Sequence, residues 1–274
     1  MDARLQRRVQ RYGWDRAAES YEAGWAVQLR PAQDALMRVA QTAAGDRVLD
    51  VACGTGLVTF ALARAVGPTG SVVGTDLSDG MITRARQAAL AHAPGVEFQR
   101  MDAEALDFPA AFFDVAVSAL GLMYVPRPER AVAEMSRVVK PNGRLAAAVW
   151  GARRSCGWAE IFPIVERRIA SKVCPLFFSL GTGDSLAGLF VSTGLTDVQQ
   201  VRLSTELRYN SEDEAIDAAF RGGPVALAYS RFTDAVRDEV HREYLESIAM
   251  YRRGNGYAVP GEFVVVAGRV KSSA

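Results

Sequence analysis

Histidine and cysteine are scarce in this chain, two and three among 274 residues. The cysteines, Cys53, Cys156 and Cys174, are odd in number and widely spaced, so neither a disulfide framework nor a CxxC metal site can be read from them. No metal is expected, and a reducing cytoplasm is the expected compartment. An excess of charge of either sign is also missing. With 32 Lys and Arg against 31 Asp and Glu there is no basic surplus for the many phosphate contacts that nucleic-acid binding requires, so no nucleic-acid partner is expected. Nor is there a long apolar run. Residues 1–14 lack the apolar stretch of a signal peptide, and nothing later reaches the roughly 18 uninterrupted apolar residues of a membrane span. Stable membrane insertion is not expected, and internal repeats and low-complexity tracts are absent.

What remains is an ordinary globular composition, 49% hydrophobic and 23% charged, long enough to bury a full core. Short Val-rich runs at 47–52, 71–76, 96–101, 113–119 and 144–150 alternate with helical patterns, the order of βα units building a parallel sheet. Helices are expected near Leu57, after an N-cap at Ser78, and from Pro128 as a first helical residue. Gly67, Pro94-Gly95 and Pro141-Asn142-Gly143 are read as their stops. Beyond Trp150 the reading gives a helix at about 158–172, a short one from Asp184 to Gly194, a sixth strand at 196–204, and a helical insertion opened by the capping box Ser211 to Glu214. Val236, Val240, Tyr244, Ile248 and Tyr251 form its apolar stripe, and a seventh strand follows at 262–270. The first forty residues read as two helices split by Gly13 and Pro31. The expected organisation is an N-terminal helical cap at 1–45, a core at 46–150, and remaining strands with helical insertions at 151–274.

The chemistry concentrates where the strand Val48 to Ala52 runs into Cys53-Gly54-Thr55-Gly56 and then a helix. In an open parallel sheet, ligands bind beyond the carboxyl ends of the strands, and glycine lets backbone approach them closely. Twenty residues past Gly56, at the end of the second strand, stands Asp76, from which a carboxylate can accept from both ribose hydroxyls; an adenosine moiety is implied. A dinucleotide fingerprint would need Gly or Ala at position 59, which holds Thr59, and would not carry Asp50 inside the strand. Cys53 reads as a small apolar filler rather than a nucleophile.

Val48 to Gly56 resembles the first motif of class I S-adenosylmethionine-dependent methyltransferases, especially the ubiquinone and menaquinone biosynthesis C-methyltransferase group. Gly74-Thr75-Asp76-Leu77-Ser78 with Met81, Met101 to Glu104, Phe113-Asp114-Val115 and Glu134 to Gly143 extend the resemblance over about residues 46–150. It implies an α/β fold, a Rossmann-like, seven-stranded, mostly parallel sheet flanked by helices, with N- and C-terminal helical segments forming a substrate cap. It implies S-adenosylmethionine as cofactor, with Asp50, Ala52, Gly54 and Gly56 around its methionine part, Asp76 on the ribose, Leu77 and Met81 sandwiching adenine, and Asp102 accepting from the adenine amino group beside Ala103. By the same resemblance Ser118 would lie near the transferred methyl, and Tyr21 would close over the cofactor.

A sulfonium already carries its leaving group, so the protein must chiefly align a nucleophile and exclude water. No catalytic residue is assigned. His92 falls near the end of a βα helix on the side of the sheet away from the expected crevice, and His241 reads as a solvent-facing helical histidine. The Asn/Asp-Pro-Pro-aromatic motif of amino-methylating nucleic-acid enzymes does not follow the fourth strand, which continues as an apolar stretch suited to a small acceptor. Trp25, Met123, Tyr124 and Trp150 are candidate pocket walls. Arg4, Arg7, Arg8 and Arg11 share one helical face, which could attract an acidic substrate or a membrane surface but more often is merely solvated. The expected function is methyl transfer to a small-molecule O, N or C acceptor, aromatic or quinone-like acceptors among them; the alternatives are a non-catalytic S-adenosylmethionine sensor or scaffold and an NAD(P)-dependent oxidoreductase. A homodimer is compatible with the sequence.

Overall fold

The structure, a computed structural model, describes residues 2–93, 95–169 and 176–272; Pro94, Lys172, Cys174 and the chain's last residues lie outside that range. Two helices come first, α1 (Ala3–Ala17) and α2 (Tyr21–Ala40). Then β1 (Arg47–Val51), α3 (Leu57–Val66), β2 (Ser71–Asp76), α4 (Asp79–His92), β3 (Glu97–Arg100), β4 (Phe113–Ala119), α5 (Pro128–Val138) and β5 (Val139–Trp150) alternate. The order afterwards is α6 (Ile161–Glu166), α7 (Ser185–Ser192), β6 (Thr196–Tyr209), α8 (Glu212–Ile216), α9 (Ala226–Tyr229), α10 (Asp234–Ser247), β7 (Arg252–Arg253) and β8 (Gly256–Arg269).

The strands run β3-β2-β1-β4-β5-β8-β6 across one sheet. The first five are parallel, and β8 inserts antiparallel between β5 and β6. Strand order reverses beside β1, which pairs with both β2 and β4, so a crevice opens at the carboxyl ends of these strands, where open α/β sheets bind ligands. Central strands are buried on both faces, and Val48, Leu49, Val117, Ala146, Val149 and Val265 are wholly inaccessible, which is why they read as continuous apolar runs rather than alternating ones. The sheet is Rossmann-like, with seven strands on its path and a two-residue eighth, β7, turned back on β8.

Several local expectations give way to tertiary packing. Gly13 and Pro31 lie inside α1 and α2, and the break falls between them at Ala18-Glu19-Ser20. Proline removes one backbone bond, but α2 buries Trp25, Leu29, Ala32, Ala35, Leu36 and Ala40 on both sides of it, which holds the helix together. Gly13 is small where α1 meets Leu227, whose Cβ would stand 3.9 Å from an added Cβ. The Pro141-Asn142-Gly143 tripeptide does not end α5; β5 already starts at Val139 and absorbs the tripeptide as a bulge, with Phe113 opposite Val139 but Val115 opposite Arg144, and Asn142 at φ 65°. The helix expected at 158–172 is confined to α6 within the described residues. The capping box is displaced by one residue: Glu214 N donates to Ser211 Oγ at 3.2 Å, but the Glu214 carboxylate accepts from Asn210 N at 2.7 Å. The insertion is segmented, with a π turn at Asp217–Arg221 before Gly222-Gly223-Pro224.

Candidate functional site

At the end of β1 the chain turns sharply through Ala52 (φ 58°), Gly54 (φ 58°) and Gly56 (φ 95°). Ala52 pays for a left-handed conformation without being glycine, a strain typical of ligand-binding turns. Cys53 N donates to Thr75 O at 2.9 Å and Gly56 N to Cys53 O at 3.0 Å, which ties the turn to β2. Asp76, the last residue of β2, accepts from Gly54 N on Oδ2 and from Ser78 N on Oδ1, both at 2.9 Å. Burial pushes the Asp76 carboxyl up to about 6, against the pull of these two N–H groups. Ser78 then caps α4, accepting from Met81 N at 3.0 Å.

Opposite, β4 ends in Ala119-Leu120-Gly121, with Leu120 at φ 62°. A Cβ added to Gly121 would overlap the Cβ of Ala52 and stand 2.9 Å from Ser118 Oγ. The two turns therefore touch, and they floor a cleft of about 90 Å3.

Eight of the residues expected to hold a cofactor line this cleft together: Tyr21, Ala52, Gly54, Asp76, Leu77, Met81, Asp102 and Ala103. Asp50, Gly56 and Ser118 do not. Asp50 is wholly buried under the turn, its Oδ2 accepting from Thr59 Oγ1 at 2.7 Å, and burial, with Asp76 nearby, raises its carboxyl to about 7 although the Thr59 bond opposes this. Gly56 is a packing position, since a Cβ there would meet Phe60 at 2.9 Å and Phe98 at 3.0 Å. Ser118 is buried beneath Gly121. Thr59 is likewise buried, so the position where a dinucleotide fingerprint needs glycine is spent on Asp50. Cys53 packs against Ile82, Ala85 and Phe98, and burial raises its thiol well above the ordinary value.

Asp50 Oδ1, Thr55 Oγ1 and Ser118 Oγ are buried without a hydrogen-bond partner. Buried polar atoms are rarely left so, and all three belong to residues at or beneath the turn, outside the lining of the cleft.

The N-terminal helix closes one end of the cleft. Arg7, Gln10 and Trp14 line it, a contribution the sequence reading missed because these residues are remote from any motif. Asp15 Oδ1 accepts from Ser78 Oγ at 2.6 Å and from Gly80 N at 2.9 Å. Arg7 bridges Asp102 at 3.1 Å and the buried Glu104 at 3.0 Å, and Arg11 pairs with Asp79. Two of the four arginines read as one face are thus committed to anchoring α1 on the core. His241 also departs from its expected solvent-facing position: it is half-buried, 3.0 Å from Tyr229 Oη and stacked on that ring, and burial lowers its pKa.

A second, smaller chamber of about 30 Å3 adjoins the cleft. The four residues expected to contact substrate all line it, Trp25, Met123, Tyr124 and Trp150, and Tyr124 lines both spaces. Trp158, Phe177 and Pro224 join them from the C-terminal half.

Residues 48–143 match the sequence family described as a methyltransferase domain. The ubiquinone/menaquinone biosynthesis C-methyltransferase UbiE of Stutzerimonas stutzeri (strain A1501) is 47% identical over 143 residues, which are 52% of this chain and 54% of that protein. The chain thus spans about half the length of this curated relative. Among solved structures, the YcgJ protein from Bacillus subtilis superimposes with a TM-score of 0.62 at 19% identity, over 89% of this chain and 100% of that one. The [4+2]-cyclase SpnF gives a TM-score of 0.55 at 19% identity, over 89% of this chain and 81% of that one. These likenesses establish the fold, and the name of the second shows that fold alone does not fix chemistry. Over residues 48–143 the chain thus resembles methyltransferase domains in sequence.

Proposed function

We propose that this protein transfers a methyl group from S-adenosylmethionine to a small-molecule acceptor held in the aromatic chamber beside the cofactor cleft. The observation that carries this reading is the convergence of Ala52, Gly54, Asp76, Leu77, Met81 and Asp102 on one cleft that shares walls with a second space. Asp76 would accept from the ribose hydroxyls, Leu77 and Met81 would flank adenine, and Asp102, with Ala103, would meet its amino group. Ala52 and Gly54 leave room for the methionine part, and the unpaired Asp50 and Ser118 oxygens below supply acceptors for its ammonium, directly or through water. Tyr21 would cover the cofactor.

When bound, the sulfonium supplies an electrophilic methyl group with its leaving group already in place. The protein's task is then alignment and exclusion of water, worth up to ~7–11 kcal/mol in well-oriented reactions. Trp14, Tyr21, Leu120 and Tyr124 stand between cleft and chamber and would serve both ends. In this reading the helical segments at either end of the chain form a substrate cap over the core at 46–150, since α1 and α2 bring Trp14, Tyr21 and Trp25 while Trp158, Phe177, Gly223 and Pro224 come from the other side. No helix among the described residues is long and apolar enough to cross a membrane, and we infer action in the cytoplasm without nucleic acid, in keeping with the near cancellation of charge.

Isothermal titration of S-adenosylmethionine and S-adenosylhomocysteine, with NADH as control, tests this. Both methyl-cycle ligands should bind and NADH should not; correctly folded protein that binds neither would overturn the proposal.

A further inference from the structure

The acceptor's chemical class can be read from the second chamber, provided the methyl-transfer reading holds. At about 30 Å3, against about 90 Å3 for the cleft, the chamber is small, so its occupant is compact. The residues it shares with the cofactor cleft mark the end where donor and acceptor meet. At the other end stand Trp25, Trp150 and Trp158, none of which lines the cleft. Their rings pack edge to face, with centroids 5.9, 6.0 and 4.8 Å apart, an arrangement that favours a flat ring among them.

The polar inventory of this wall is short. Among the described residues it holds no carboxylate, imidazole, thiol, amine or guanidinium. Its ionisable groups are the phenols of Tyr21 and Tyr124, and burial raises the Tyr21 phenol far above the range in which it could serve as a base. A nucleophile that must lose a proton finds no carboxylate or imidazole on this wall, which favours one that arrives ionised. The indole N–H of Trp25 is committed to Ala218 O at 3.1 Å. That of Trp158 is different: the side chain is buried, and its N–H has no partner. An unpaired buried donor beside a cavity favours a ligand that brings an acceptor atom.

We propose that the acceptor is a compact planar oxyacid, a phenol or enol conjugated to a distal carbonyl or nitro oxygen, that turns its oxyanion toward the shared boundary and gives its distal oxygen to the Trp158 indole N–H. Conjugation satisfies both demands at once, since the electron-withdrawing oxygen acidifies the hydroxyl and accepts the hydrogen bond. Desolvating an anion is costly, and the positive sulfonium and the indole N–H offset that cost. The oxyanion forms the new C–O bond as the methyl's bond to sulfur breaks and its electron pair stays on sulfur. The products are a neutral ether and a neutral thioether, and no proton has to be taken up by the protein.

The test is titration of 4-hydroxybenzaldehyde and of 4-methylphenol into protein saturated with S-adenosylhomocysteine, for wild type and Trp158→Phe. Saturation itself reports on the cofactor reading, so the two failures are distinguishable. The aldehyde should bind the wild type about tenfold more tightly than 4-methylphenol, with affinity rising as pH passes the ionisation of the free aldehyde phenol. Trp158→Phe should weaken the aldehyde about three- to tenfold more than it weakens 4-methylphenol, the worth of one hydrogen bond, and leave S-adenosylhomocysteine unchanged. With S-adenosylmethionine the product should be 4-methoxybenzaldehyde. Equal affinity of the two phenols for the wild type, equal affinity of the aldehyde for both proteins, or tighter binding of benzylamine than of either phenol would overturn the proposal; the wild-type comparisons decide it should the variant fail to fold.

Discussion

The Cβ that Gly121 lacks would occupy the space of the Ala52 Cβ. Gly121 has φ −97°, an angle any residue adopts, so its requirement for glycine is steric and not conformational. Gly121→Ala should leave the fold intact and push apart the two turns that floor the cleft. Overpacking of this kind costs about 1–3 kcal/mol, so affinity for S-adenosylhomocysteine should fall about tenfold or more by titration while far-ultraviolet circular dichroism is unchanged.

Asp76 joins the turn after β1 to the start of α4 through its bonds with Gly54 N and Ser78 N. Asp76→Asn keeps an acceptor for one of these and should fold, but it removes the charge that would face the ribose; a hydrogen bond to a charged group is worth about 1.5–3 kcal/mol, so cofactor affinity should drop about tenfold or more. Asp76→Ala leaves both N–H groups unmatched and should also lower the melting temperature measured by calorimetry, which Asp76→Asn should do to a smaller extent.

Two carboxyls beneath the site are held well above their ordinary range, Asp50 at about 7 and Asp76 at about 6, chiefly by burial. A carboxyl whose folded pKa is raised gives stability that is complete at pH values below its unfolded pKa and is lost as pH rises through the folded one. The ligand-free protein should therefore melt at a higher temperature at pH 5 than at pH 7.5. Asp50→Asn should flatten that slope. A profile that keeps its slope in the variant would assign the effect to other groups.

Trp25 is buried, donates its indole N–H to Ala218 O, and packs on Trp150 and Trp158. It ties α2 to the π turn at Asp217–Arg221. Trp25→Phe should cost about 1–3 kcal/mol because the carbonyl loses its donor, and Trp25→Ala about 3–5 kcal/mol because a cavity is added. Denaturant titration measures both. The larger loss should be accompanied by weaker binding of aromatic acceptors, since the residue is also a chamber wall.

The core of the sheet was legible because buried parallel strands must be apolar throughout and must end in turns. Arg47–Val51, Ser71–Asp76 and Phe113–Ala119 fall where the runs of Val and the bounding Gly and Asp put them. That Gly54, Asp76 and Asp102 would line one cleft was legible for the same reason, since they lie at strand ends within one stretch of chain. The roles of Asp50, Gly56 and Ser118 were less so. Spacing puts them at the turn, but only packing decides that Asp50 sits below it with Thr59 and that Gly56 faces Phe60 and Phe98.

By itself the sequence determined the order of βα units, the turn after β1 and the carboxylate after β2, because each depends on backbone conformation and on contacts made within a few residues. Only the tertiary structure decided what covers the crevice. Arg7 meets Glu104 across 97 positions and Trp25 meets Ala218 across 193; no local periodicity encodes such pairs, for their energy is realised only once the sheet has brought distant helices to the same edge.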